Sequence, residues 1–336
     1  MQIKTLQLKD FKCFDVKVLS LGTQVEIVGR NGSGKSSIRE SILFALYHRT
    51  DATARDTDKY IKNDAEFCEI EIDTDLGKVK RQRGKHNSKL WLDGEETTHE
   101  NLMDKLKLPR FEIFNSVFTA GYFMTLDYKD QRDIILSLTE SVDIESIYKK
   151  LGGTTSIDLG DIDKTYKEFN KEKSKLKTTI DTRNITIELC GFSKEMIEKI
   201  QKDNEEADEK LVRVGNLLDI LKKIPIEEAK IKLEDINKKL EEFIPGGKIE
   251  VLEILKTGMG YKDVFKLYVN DKEYKYLSTG EKKITDIGLC RFLNEFYKLN
   301  MIFVDNMESI SDQLDIDMPQ VFTSKVTQDN LHVQII

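Results

Sequence analysis

The chain has 336 residues, with 53 Lys and Arg against 60 Asp and Glu, a net charge of −7. That length fits one large domain or two ordinary ones, and the mild acidity excludes a protein that coats nucleic acid by bulk charge alone. A local basic patch stays open. The 34% of charged residues exceeds the roughly 25% of an average globular chain, and the excess is concentrated, because residues 161–243 carry 38 charges in 83 positions. Four isolated Cys residues (13, 68, 190 and 290) form no C-x-x-C pair. That is a reduced pattern and argues against a cysteine-built zinc site. No apolar run approaches the ~18 residues of a membrane span, and Met1 leads into an amphipathic strand, so the expectation is a soluble cytoplasmic protein without a membrane partner.

In chain order, Ile3, Leu6 and Leu8 precede Phe11-Lys12-Cys13-Phe14, and residues 24–28 form a short buried-strand pattern. The spacing of Ile38, Ile42, Leu43, Ala45 and Leu46 predicts a helix over 35–47. Residues 67–74 alternate as a half-exposed strand, 78–92 read as more strand around a turn, and 111–138 become helical towards their end. Ile162, Tyr166, Phe169, Lys173, Leu176, Ile180, Arg183 and Ile187 follow 4-3 spacing, which resumes at Ile197 after Cys190-Gly191-Phe192-Ser193 and is interrupted at Pro225. On so charged a background this is a coiled-coil signature, with three amphipathic helices packed on a globular domain as the alternative. Strands return over 248–255 and 264–269, a helix is predicted over 281–299, Met301-Ile302-Phe303-Val304 is a buried strand ending in Asp305, and 332–336 is a last apolar strand. The expected organisation is an α/β head in two halves, 1–160 and 245–336, around a helical insert at 161–244.

The strongest motif is Gly29-Arg30-Asn31-Gly32-Ser33-Gly34-Lys35-Ser36, a G-x-x-x-x-G-K-[ST] loop between a predicted strand and a predicted helix. Its glycines let consecutive backbone N–H groups face a phosphate. Lys35 reaches the β- and γ-phosphates, and the Ser36 hydroxyl binds Mg²⁺. Such a site needs a second metal-binding carboxylate at a strand end, and Asp305 is the candidate. Leu277-Ser278-Thr279-Gly280-Glu281 reads on its own as a capped helix start. Lys78 to Lys89 holds Lys80, Arg81, Arg83 and Lys85 on a ribbon turning near Gly84. It is either a sequence-independent contact for duplex phosphates or a solvated hairpin whose charges block edge pairing.

Together these residues resemble the SMC/SbcC-type ABC ATPases of DNA repair and chromosome organisation, in a short phage or bacterial form. The resemblance covers the whole chain, from Ile3-x-x-Leu6-x-Leu8-x-x-Phe11 through the phosphate loop with Ser37, the helical insert and the 277–281 signature to Phe303-Val304-Asp305 and a D-loop at Ser309-Ile310-Ser311-Asp312. It implies an ABC-type P-loop head with an inserted antiparallel coiled-coil hairpin. It also implies ATP and Mg²⁺ as cofactors and a homodimer in which Ser278, Thr279, Gly280 and Glu281 close over nucleotide held by the second subunit. DNA is the implied partner, with Lys12 near phosphate and Lys62 near the adenine. No nuclease constellation occurs among the four His, so cleavage is expected from a separate subunit, in a bacterial host's cytoplasm if the gene is a phage's. The chain departs from the pattern where the catalytic Glu is expected, because Asn306 follows Asp305 and an amide cannot serve as a general base. Glu308, a carboxylate of the partner subunit, or a slow site that switches on binding alone are the three readings. The lid Gln near Ala120-Gly121 and a switch His after the last strand are also missing. A membrane-transporter motor, sharing the head motifs, is disfavoured by the helical insert.

Overall fold

The computed structural model describes residues 1–50, 57–255, 261–310 and 316–336. They divide into two compact units, the first being Met1–Ile134, Asn237–Ile249 and Lys266–Ile336, the second Ile135–Ile236 and Glu250–Phe265. The division falls at 134 rather than at the expected 160. Residues 142–159 join an apolar cluster with Leu217, Ile220, Leu221 and Ile224 of the helical region.

In the first unit, strands β1 (Ile3–Phe11), β2 (Phe14–Ser20) and β3 (Gln24–Gly29) lead to helix α1 (Lys35–Tyr47). Strands β4 (Phe67–Thr74), β5 (Lys78–Gly84), β6 (Ser88–Leu92) and β7 (Glu95–Glu96) follow, then α2 (His99–Leu106), α3 (Phe111–Phe118) and α4 (Tyr128–Leu136). β2-β1-β4-β5-β6-β7 is an antiparallel sheet. Its pleat buries Leu6, Leu8, Ile70, Ile72 and Val79 on one face and carries Gln7, Lys9, Glu69, Glu71 and Lys80 on the other, as period-2 alternation requires.

Helix α5 (Ile144–Lys150) and the long helices α6 (Ile162–Leu189) and α7 (Lys194–Leu240) precede β8 (Gly247–Ile254), β9 (Tyr261–Val269) and β10 (Lys272–Glu273). Within the second unit, α6 and α7 meet through Asn204 Nδ2 donating to Asn184 Oδ1 at 2.8 Å, Arg183 Nη1 donating to the Asp203 carbonyl at 3.2 Å, and a 2.7 Å Lys210–Glu172 ion pair. α7 runs through Pro225, where the sequence predicts an interruption. Proline removes one helical hydrogen bond and crowds the preceding turn. Burial of Leu218, Leu221, Ile224 and Ala229 on either side holds the helix together.

The chain then forms α8 (Thr279–Tyr297), β11 (Met301–Val304), β12 (Gln320–Val326) and β13 (His332–Ile335). β11-β12-β3 are parallel and β13 closes the sheet antiparallel to β3. β12, which the sequence reading missed, stands between the phosphate-loop strand and the Asp305 strand. Its Gln320 is fully buried, accepts from Ile3 N at 2.9 Å, and donates to the Ile3 carbonyl at 2.7 Å and the Gly22 carbonyl at 2.9 Å. This amide stands in for a strand partner. β13 is present as expected, but its Ile335 and the following Ile336 stay exposed.

Candidate functional site

The phosphate loop leaves β3 at Gly29 and enters α1 at Lys35. Gly32 and Gly34 have φ of 77° and 102°, the left-handed region that costs other residues strain. A Cβ on Gly34 would also lie 2.6 Å from Cys13 Sγ and 2.7 Å from Phe14 Cζ, so glycine is required there twice over. Lys35 is buried and folds back over the loop, its Nζ donating to the Gly29 carbonyl at 2.8 Å and the Arg30 carbonyl at 3.0 Å. An ammonium has three donors, so one remains for a ligand. Cys13, Asn31, Gly32, Gly34, Lys35, Ser36, Ser37, Asp305 and Asn306 line one cavity of about 250 Å³. Ser33 is not among them, since its side chain turns in against Gly29. Cys13, which the sequence reading did not single out, is.

The parallel register carries Asp305 to this cavity from β11. Its Oδ1 accepts from the Ser324 hydroxyl of β12 and from Asn306 N at 3.0 Å. Ser36 and Asp305 supply a hydroxyl and a carboxylate to the same cavity, and no group of three or more His, Cys, Asp and Glu that could hold a metal occurs among the described residues. That donor set suits Mg²⁺, which takes one or two protein oxygens and completes its shell with water and substrate phosphate. Asn306, with φ 54°, lines the cavity. Glu308 lies in the short turn Met307–Ser309, exposed and outside the lining.

Lys12 and Lys62 are not brought into the cavity either. Lys12 pairs with Glu40 of α1 and lies 5.2 Å from the Tyr60 ring centroid, and Lys62 pairs with Asp15. Their backbones pin this segment to the first turn, Lys12 N donating to the Tyr60 carbonyl and Lys62 N to the Asp10 carbonyl, each at 2.8 Å.

Ser278 caps α8 and forms a capping box with Glu281, whose carboxylate accepts from Ser278 N at 2.6 Å and from Lys272 Nζ at 3.3 Å. The Ser278 bonds, then Lys272, pull the Glu281 carboxyl down to about 2. The 278–281 turn lies outside the phosphate-loop cavity, and a Cβ on Gly280 would meet only the Ser309 carbonyl, at 3.6 Å. The capping box takes Ser278 N and Glu281 N, and the turn sits at the N-terminus of α8, the end of a helix that favours an anion. Of the D-loop resemblance, Ser311 and Asp312 lie outside the described residues. Asp286, one turn behind the signature, was not anticipated. It accepts from Tyr274 OH at 2.8 Å, its Oδ2 would be 3.1 Å from a Cβ on Gly121, and burial pushes its carboxyl up to about 6.

The basic ribbon does not fold as a continuous cationic surface. Arg81 is only 4% exposed, so its expected place on DNA is corrected. Lying on the inner face of β5, its Nε donates to the Ala45 carbonyl at 2.8 Å. Lys80 faces outward, paired with Glu69 at 3.0 Å and 5.7 Å from the Trp91 ring centroid, while Lys78 pairs with Glu71 at 2.6 Å. Arg83 is half-buried and Lys85 is exposed at the turn.

The Rad50 DNA double-strand break repair ATPase of Archaeoglobus fulgidus is 27% identical over 187 residues, covering 52% of this chain and only 21% of that protein. Among solved structures, the Smc head domain of Pyrococcus furiosus, bound to the C-terminal domain of ScpA, aligns with 97% of this chain and 89% of that one at 17% identity and a TM-score of 0.46. The recombination mediator RecF aligns with 98% and 93% at 14% identity and a TM-score of 0.45. No helix among the described residues is long and apolar enough to cross a membrane. The RecF/RecN/SMC N terminal domain profile matches residues 2–336, and with the phosphate loop, the strand-end Asp305 and the capped 278–281 turn already in place, the chain belongs to that family of SMC/SbcC-type ABC ATPases.

Proposed function

We propose that this chain is an ATP-binding and ATP-hydrolysing head that dimerises around two ATP and acts on DNA in recombination or repair, in the cytoplasm, with cleavage left to a separate nuclease subunit. The observation that carries the reading is the single cavity shared by Lys35, Ser36 and Asp305. Loop N–H groups and Lys35 hold the β- and γ-phosphates, while Ser36 and Asp305 hold Mg²⁺. The metal supplies charge neutralisation between the two phosphates. The 278–281 turn of a second copy closes over the γ-phosphate with its helix N-terminus. Water then attacks the γ-phosphorus, the bond to the β-phosphate oxygen breaks, and the water proton passes to Glu308 after closure brings that exposed carboxylate in. Catalysis comes from positioning and electrostatics, with no covalent intermediate on the protein. The pairing of α6 with α7 through the exposed Asn184 and the buried Asn204 supports an antiparallel coiled-coil arm, a polar side chain in a helix seam being a device that fixes register. DNA contact falls to Lys80 and Lys85, with Arg83 behind them.

A second reading, a non-hydrolysing ATP-gated clamp, is favoured by Asn306 lining the cavity while Glu308 does not. Steady-state ATP turnover, with and without linear duplex DNA, separates the two when the unaltered protein is run beside Lys35→Ala and Glu308→Gln. DNA-stimulated turnover lost in both variants supports the motor and assigns the base. Turnover no higher than that of Lys35→Ala, together with ATP-dependent dimerisation, supports the clamp.

A further inference from the structure

The helix that starts at Lys35 is 13 residues long, about 20 Å at ~1.5 Å per residue. Its last turn leaves carbonyls unsatisfied and carries the negative end of the helix dipole. His48 adopts the left-handed conformation there and returns its N–H to the Phe44 carbonyl at 2.8 Å. The next two carbonyls belong to Arg81. Its Nε donates to the Ala45 carbonyl at 2.8 Å, and its Nη2 reaches the Leu46 carbonyl at 3.4 Å.

Arg81 is 4% exposed and has no carboxylate partner among the described residues. A buried guanidinium in that state is unfavourable unless another group supplies the compensating charge. Here the end of α1 does. Burial lowers the Arg81 pKa only to about 10, so the cation persists at neutral pH. The neighbouring imidazoles do not share the role. Burial, then Arg81 and Arg83, hold His48 down to about 4, and burial with Arg81 lowers His99. β5 is the middle strand of its ribbon, with Arg81 in register between Ile70 of β4 and Leu90 of β6. The guanidinium is thus anchored to the sheet on one side and to the helix on the other.

We propose that Arg81 is a positioning residue for the nucleotide. Its planar fork ties the C-terminal end of α1 to β5, fixes the helix along its own axis, and so sets where Lys35 and Ser36 stand at the opposite end. The role deepens the ATP reading and rests on it. Groups that act on a phosphate tolerate little displacement, since a misplacement of about 1 Å can cost on the order of 10²-fold in rate, and hydrogen bonds to it weaken outside a narrow range of distance and angle. A helix carries an axial shift from one end to the other without attenuation.

The test is ATP affinity, titrated with a fluorescent ATP analogue and Mg²⁺ on the unaltered protein, Arg81→Met and Arg81→Lys. Hydrogen exchange over residues 35–47 is measured alongside, without nucleotide. Arg81→Met, folded by circular dichroism, is expected to bind about tenfold more weakly or worse, about 1.4 kcal/mol, and to exchange faster in the last turn of α1. Arg81→Lys is expected to recover part of the affinity, because it restores the charge and one donor but not the fork. A residue that only supports the fold would lower the melting temperature yet leave the affinity of the folded protein unchanged. That result overturns the proposal. Should Arg81→Met fail to fold, Arg81→Lys decides alone: weaker binding supports the role and native affinity overturns it. If the unaltered protein binds no ATP, the reading of the cavity fails and the role goes with it. If it binds and both variants bind equally, only the role of Arg81 fails.

Discussion

Two stretches of the first unit carry a sequence signal for phosphate, the loop at 29–36 and the basic ribbon at 78–89, and folding treats them differently. The loop acts through backbone N–H groups and one lysine, so its chemistry survives once the two glycines can take positive φ. The ribbon acts through side-chain charge, and a strand sends alternate side chains to opposite faces. Arg81 is therefore drawn inside onto the α1 carbonyls, while Lys78 and Lys80 stay outside and are met by Glu71 and Glu69 of β4. A count of positive charges says little about a surface until the pleat and the facing strand are known.

The comparison breaks most readily at Lys35. Lys35→Ala should reduce ATP turnover by about 10²–10³-fold, the range for removing one donor aimed at developing charge. Phosphate release from ATP measures it, and retention of most of the activity would deny the loop its assigned chemistry.

Asp286 extends the contrast between inner and outer charges to α8. A carboxyl raised from 3.8 to about 6 holds its proton more tightly in the folded chain. Its contribution to stability is complete below pH 3.8 and is lost as pH rises through about 6. Asp286→Asn keeps an acceptor for Tyr274 and should be more stable than the unaltered protein by about 2–3 kcal/mol at pH 8, a difference that fades below pH 4. Urea denaturation of both proteins at several pH values reads it directly. A difference independent of pH would mean that the carboxyl is not strained by burial.

Ser278→Ala removes the cap of the same helix and should cost about 1 kcal/mol, measured by urea denaturation. The capping and nucleotide roles of Ser278 separate if ATP-dependent dimerisation falls by more than that loss explains. The smallest stability effect belongs to the outer ribbon face. Lys80→Ala with Lys85→Ala should shift stability by less than about 0.5 kcal/mol while lowering the salt slope of duplex binding by about 2. An unchanged slope in fluorescence anisotropy would remove the ribbon from the DNA interface.

Much of this was legible along the chain. The helix predicted over 35–47 is α1, the strand predicted over 67–74 is β4, and Asp305 does end a buried strand. Each is fixed by local periodicity or by a motif whose parts are adjacent. β12 was missed because Gln320, Thr323, Ser324 and Lys325 dilute its apolar pattern, and these polar groups find partners only in space, Gln320 on Ile3 and Ser324 on Asp305. The helix through Pro225 and the burial of Arg81 share that cause. In each, a distant segment overrides a local rule.

The amide of Gln320 has a consequence for synthesis. Among the described residues, the strand carrying the phosphate loop receives its parallel neighbour only from residues 320–326, so the loop stands without that wall until nearly 300 further residues have been added. At about 5–20 residues per second that interval lasts roughly 15–60 s. Contacts so far apart in sequence are slow to close. A chain still on the ribosome is expected to lack ATP-dependent protection from protease until residue 326 has cleared the exit tunnel, and to gain it in one step. The helical unit, whose partners lie closer in sequence, can fold while it waits, which makes the nucleotide site mature after it.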